Sequence, residues 1–192
     1  MKKRESLFFL GLTVAVILFA VSFGWAQLFK YGGEAPKPGT HGPVITHYFA
    51  VDKGYYGHIW KIYLEAEDPD SDMIRIAAEV DQPGAGHYPT FWTVVKPQYQ
   101  KHFKGYLQWN THSSRANYMP EWTQITLKVS ILDKAGNWSN EVVFPLTFET
   151  GVANEYGYKI PPPFDQGDLP RLGHIGIELY SPISMGNGPV RD

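Results

Sequence analysis

The chain has no cysteine in its 192 residues. That excludes disulfides, thiolate metal sites, a cysteine nucleophile and a lipid-modified N-terminal cysteine. An excess of charge is missing too: 17 Lys and Arg stand against 19 Asp and Glu, a net charge of −2. Such a balance leaves no basic face for nucleic acid. No stretch after the N-terminus keeps helical periodicity over three turns, and no internal repeat is found. The spacings G-x-S-x-G, H-E-x-x-H, G-x₄-G-K-[ST] and G-x-G-x-x-G do not occur, so no enzymatic role is expected. Seven histidines are scattered without the H-x-H or H-x₃-H spacing of a transition-metal site.

Aromatic residues are plentiful, with 11 Phe, 12 Tyr and 6 Trp. They favour strands over helices. Nineteen glycines and 15 prolines supply turns and loops. The length suits one ordinary domain with additions.

Lys2, Lys3 and Arg4 precede an apolar run from Leu7 to Ala26. A basic start followed by such a run is the pattern of an export signal, and Gly24-Trp25-Ala26 offers the small residues of a cleavage site before Gln27. The run also has the roughly 20 residues that span a bilayer as a helix. A cleaved signal peptide and an uncleaved transmembrane helix (residues 7–26 in the membrane, the basic residues cytoplasmic) both fit. Either way, residues beyond 26 are expected outside the cytoplasm, in a periplasmic or extracellular setting.

Residues 27–42 lack periodicity and read as a linker. From 43 to 150 the period becomes two, as in half-buried strands. Seven segments carry it: Val44–Val51, His58–Glu67, Met73–Val80, Phe91–Val95, Phe103–Trp109, Thr123–Ile131 and Val142–Phe148. The sixth has the clearest pattern, with Thr123, Ile125, Leu127, Val129 and Ile131 on one face. Pro145 places the last segment at an edge or bulge, because it has no N–H to donate. Residues 151–192 form a Pro/Gly-rich tail with too few apolar residues for a second core, holding one further candidate strand, Ile175–Tyr180.

Two stretches carry a resemblance. Glu67-Asp68-Pro69-Asp70-Ser71-Asp72-Met73 is similar to the "D-P-D-G-D" turn of bacterial immunoglobulin-like, cadherin-like and PKD-type modules. Asp133-Lys134-Ala135-Gly136-Asn137-Trp138-Ser139 resembles the "D-x-A-G-N-x-S" hairpin of bacterial Ig-like and fibronectin type III-like modules. Ser71 stands where many such modules have glycine. The seven alternating segments predict an all-β, single seven-stranded antiparallel sandwich, which the resemblance over 43–150 makes immunoglobulin-like; composition adds an N-terminal apolar helix before it and an extended proline-rich tail after it. It says little about function, since such modules serve as adhesins, spacers and complex subunits.

In that topology the two acidic turns meet at one end, which would gather Asp68, Asp70, Asp72, Asp133 and Asn137 as oxygen ligands for calcium. The same residues also suit plain turns, since Asp and Asn side chains bond to nearby backbone. Trp92, Tyr99, Tyr106, Trp109, Tyr118 and Trp122 surround the middle strands, where exposed rings would make a flat sugar platform or an interface. Partner contact is expected at Trp92, at Trp109 and along Ile175, Ile177, Leu179 and Tyr180, the tail adding a strand to a neighbouring sheet edge. The expected function is that of a non-catalytic envelope protein, a subunit or accessory of a larger assembly with other envelope proteins as partners. The alternative is a calcium-dependent adhesion or carbohydrate-binding module.

Overall fold

Every one of the seven alternating segments lies on a strand, and three further strands join them among the described residues. The computed structural model describes residue 37 and residues 39–150 and 158–181. The apolar run 7–26, with the expected leader or anchor, lies outside the described residues, as do 27–36, 151–157 and 182–192. No helix among the described residues is long and apolar enough to cross a membrane. The chain divides into Met1–Pro38 and Gly39–Asp192. Only residue 37 of the first unit is described, and all the strands belong to the second.

The strands are β1 (Val44–Phe49), β2 (Lys53–Gly54), β3 (Ile59–Glu67), β4 (Met73–Gln82), β5 (Gly86–His87), β6 (Phe91–Val94), β7 (His102–Asn110), β8 (Gln124–Asp133), β9 (Val142–Phe148) and β10 (Arg171–Ile175). Two sheets result. Sheet A runs β1-β3-β7-β10; sheet B runs β2-β9-β8-β4, and β4 also pairs with β5 and β6. The apolar faces of the alternating strands meet between them: Trp60, Ile62 and Leu64 of β3, Phe103, Leu107 and Trp109 of β7, and Ile125, Leu127, Val129 and Ile131 of β8. The two central indoles lie 5.9 Å apart, centroid to centroid. Their polar N–H groups are satisfied inside: Trp60 Nε1 donates to the Val51 carbonyl at 2.9 Å and Trp109 Nε1 to that of Ile177 at 3.1 Å.

Several expectations need correction. The sheets are mixed rather than purely antiparallel, because β10 runs parallel to β7 and β2 parallel to β9. Parallel neighbours need a crossover connection. The tail provides one: Phe164 lies on Tyr63 on the outer face of sheet A, and the chain then reaches the β7 edge at Pro170, whose carbonyl accepts from the Tyr106 N–H at 3.1 Å. The tail strand is Arg171–Ile175, not Ile175–Tyr180. On β4, a register shift between Met73 and Arg75 puts Met73 in the core in place of Ile74. Pro145 is exposed on β9, where β2 pairs only with Thr147 and Phe148.

The described residues beyond β10 stay on the sandwich. Leu172, Ile175, Ile177 and Leu179 are all buried in the shared core. At roughly 1.5–3 kcal/mol for each fully buried aliphatic side chain, they make the tail a large contributor to stability. Two glycines permit this. A Cβ on Gly105 would stand 2.4 Å from the Pro170 carbonyl oxygen, and one on Gly173 would stand 2.3 Å from Thr93 Cγ2. Strand β10 therefore bridges the two sheets, hydrogen-bonded to β7 and packed on β6.

Candidate functional site

The acidic loops do meet. Asp68 and Asp133 are buried, at the β3–β4 and β8–β9 turns. Asp68 Oδ1 accepts from the Asp70 N–H at 3.2 Å and Oδ2 from the Asp72 N–H at 2.8 Å. Asp133 accepts from Asn137 twice, Oδ1 from the backbone N–H and Oδ2 from Nδ2, both at 2.7 Å. The Lys134 N–H donates to the Asp72 carbonyl at 3.1 Å and ties one turn to the other. Asp72 Oδ1 is buried with no hydrogen-bond partner. Burial, then its hydrogen bond with Asp68 and the charges of Asp133, Asp68 and Asp70, raise the Asp72 carboxyl above the ordinary carboxylate range. Asp70 turns away to His41, whose backbone N–H donates to Oδ2 at 2.6 Å and lowers its pKa. Four of the five expected oxygen ligands thus share one place and the fifth does not. Among the described residues no three of His, Asp and Glu are grouped so as to hold a metal ion.

The tail residues named as partner contacts are spent inside this chain. Ile175, Ile177 and Leu179 are 3%, 8% and 0% exposed. Side chains of the sandwich hold the tail by its main chain. Thr93 Oγ1 donates to the His174 carbonyl at 3.0 Å, Ser113 Oγ to that of Leu179 at 2.6 Å, and Gln82 Nε2 to that of Tyr180 at 2.9 Å. The Tyr180 ring stacks on Tyr88 and lies under the Arg115 guanidinium, which also donates to its hydroxyl. Glu178 accepts from the Ser114 N–H and from Ser113 Oγ, and these bonds lower its pKa. Trp109 is likewise buried in the core. The alternation Phe103-Gly105-Leu107-Trp109 carries that signal.

Trp92 behaves differently. It pairs with Ala77 across β6 and β4, on the outer face of sheet B. There its ring lies 5.8 Å from that of Trp138, and the Arg75 guanidinium sits 5.8 Å from its centroid. Val94 beside it is exposed, and half-buried Leu132, bridged to Trp138, extends the patch. Small Ala77 and Ser130, paired with each other, keep its floor flat. Further along the same face the side chains are charged: Lys128 and His87 both contact Asp81 at 2.8 Å and hold its carboxyl below the usual range. Trp138 escapes a reading of strands alone because it follows β8 within the hairpin.

Two remaining features are local anomalies. Ser71 and Trp122 are the described non-glycine residues with positive φ, 62° and 65°. Trp122 is the third residue of a turn closed by the Thr123 N–H on the Pro120 carbonyl at 3.1 Å. Turns of this kind call for glycine or asparagine there, and a bulky residue costs about 1–3 kcal/mol. Trp122 is nevertheless 65% exposed. His58 is buried; Nδ1 pairs with the Tyr55 carbonyl at 2.8 Å, and Nε2 has no partner. Burial lowers its pKa.

Comparison with protein-family models and with curated proteins finds no match for this chain.

Proposed function

We propose that this chain is a non-catalytic envelope protein, exported by its apolar N-terminus, whose sandwich docks onto protein partners in a larger extracytoplasmic assembly. The observation that carries the reading is the Trp92–Trp138 patch on sheet B. Aromatic rings, Arg75 and exposed Val94 gathered on a flat sheet face have the composition of an interface core, and the charged rows beside them that of its rim. The tail no longer belongs to this surface, since its apolar side chains complete the chain's own core. An immunoglobulin-like topology is supported by strand order. With β1, β3, β4, β6, β7, β8 and β9 taken as A, B, C, C′, E, F and G, the sheets read A-B-E and G-F-C-C′.

The test is an affinity pull-down of the full chain from detergent-solubilised envelope, compared with a Val94→Asp variant. Stoichiometric partners that the variant loses, with its melting temperature kept, support the reading. A bait that comes down alone, or a variant that keeps every partner, removes it. The intact mass of the bait also reports whether residues 1–26 are retained.

A second reading, calcium-dependent adhesion, is favoured by the orphaned Asp72 oxygen beside Asp68 and Asp133. A cation that binds only the folded state raises its melting temperature. Millimolar calcium that leaves the melting temperature unchanged disposes of this version.

A further inference from the structure

We propose that Trp122 is the stacking platform of a saccharide-binding subsite, at the opposite end of β8 from the Trp92–Trp138 patch. A shallow groove of about 260 Å³ lies there, lined by Pro83, Glu121, Trp122, Thr123 and Gln124. The turn that carries the indole is pinned to the sheet at both sides. The Trp122 N–H donates to the Phe148 carbonyl at 2.7 Å, and the Phe148 N–H donates to the Thr123 carbonyl at 2.9 Å.

Folding gives no reason for a tryptophan at this position. Its backbone occupies the left-handed region where glycine is at ease, and most of its side chain faces water instead of the core. Residues held in sparsely populated backbone regions cluster where a function uses them. A local rule broken without structural gain points the same way.

The chemistry of the groove selects the ligand. A tryptophan face takes the C–H-rich side of a pyranose ring. Around it stand a carboxylate acceptor (Glu121), a hydroxyl (Thr123) and an amide able both to donate and to accept (Gln124), the set needed for ring hydroxyls. The side chains of Glu121, Thr123 and Gln124 have no hydrogen-bond partner among the described residues. A fatty or purely apolar ligand would strand those groups, and an ammonium ion would want several rings around it rather than one. A groove this small and open suits one or two sugar rings of a longer glycan, with affinity on the order of millimolar.

The experiment titrates the full chain with chitohexaose, cellohexaose and maltohexaose, with choline chloride as the cation control. Tryptophan fluorescence and calorimetry are followed for the wild type, Trp122→Gly, Trp122→Phe and Gln124→Ala. The expected result is saturable binding of at least one oligosaccharide. Trp122→Gly should weaken it tenfold or more while the melting temperature stays level or rises; Trp122→Phe should retain most of it, and Gln124→Ala should weaken it. The idea is overturned if the wild type ignores all three glycans, if only choline binds, or if Trp122→Gly binds as well as the wild type. A fall in the melting temperature of Trp122→Gly would also overturn it, by giving the indole a structural role. None of these outcomes touches the partner surface on sheet B, which Val94→Asp probes separately.

Discussion

The two outer faces of the sandwich carry similar aromatic residues and treat them in opposite ways. On sheet A, Tyr63 points away from the inter-sheet core yet is only 8% exposed, because Phe164 lies on it with ring centroids 5.6 Å apart. Phe49 stacks beside it, and Tyr106 lies beneath the Lys61 ammonium. On sheet B, Trp92 is 36% and Val94 70% exposed. The difference is supplied by the described part of the tail, which covers Tyr63 on sheet A and does not cover Trp92 or Val94 on sheet B. An aromatic residue on an outward strand position therefore says nothing by itself about contact with a partner; what the rest of the chain lays over it decides.

The largest expected effect comes from taking that cover away. Gly173→Val would place side-chain atoms where Thr93 already stands and push β10 out, with loss of at least about 3 kcal/mol of stability in urea unfolding. A midpoint equal to that of the wild type would mean that the tail is not part of the core. Phe164→Ala should cost about 3 kcal/mol and increase the quenching of tyrosine fluorescence as Tyr63 is uncovered. If it costs no more than a surface change, the covered face is not a second, smaller core.

Acid should act on the sandwich through His58. The folded protein holds this imidazole below its ordinary value of 6.5, with burial as the main cause. A base depressed in the native state is neutral in both states well above that value, so its stability contribution is intact there. It is lost as pH falls below 6.5 and the unfolded chain binds the proton first, by at most about 1.4 kcal/mol per pH unit. Urea midpoints at pH 7.5 and 5.5 should differ in that direction, and His58→Gln should flatten the dependence. Ser71→Gly relieves a positive φ in the β3–β4 turn, for a gain of roughly 0.5–1 kcal/mol in thermal melts. Val94→Ser, on the open face, should change stability by no more than about 0.5 kcal/mol. A larger loss would show that this face too is structurally committed.

Much of the fold was legible. Period-two alternation located each long strand, since a half-buried strand must place every second residue inward. Proline at 145 marked a place where a neighbour is not needed. The tail was not legible in the same way. Arg171-Leu172-Gly173-His174-Ile175 has low strand propensity, and its pairing with β7 rests on Gly105 and Gly173 allowing a close approach that only the third dimension reveals. Ile175, Ile177 and Leu179 keep the right alternation, but period two does not say whose core they enter. The acidic turns were found through their residues, whereas the outward turn of Asp70 depended on His41, 29 positions away. Trp122 was visible as an aromatic residue. Its oddness appears only with the backbone, because Pro-Glu-Trp-Thr does not read as a turn with positive φ at its third position.

The parallel strand has a consequence for time as well as for shape. Strand β10 pairs with residues 106–109, which the ribosome delivers long before it. Until residues 171–179 emerge, Leu107 and Trp109 lack the core neighbours Leu172, Ile175 and Leu179. Contacts between positions so distant in the chain slow folding, and the sandwich stays loose until β10 has been made. If the chain is exported as proposed above, that delay would keep it threadable, and a product cut short before residue 170 would lack the strand that closes the core.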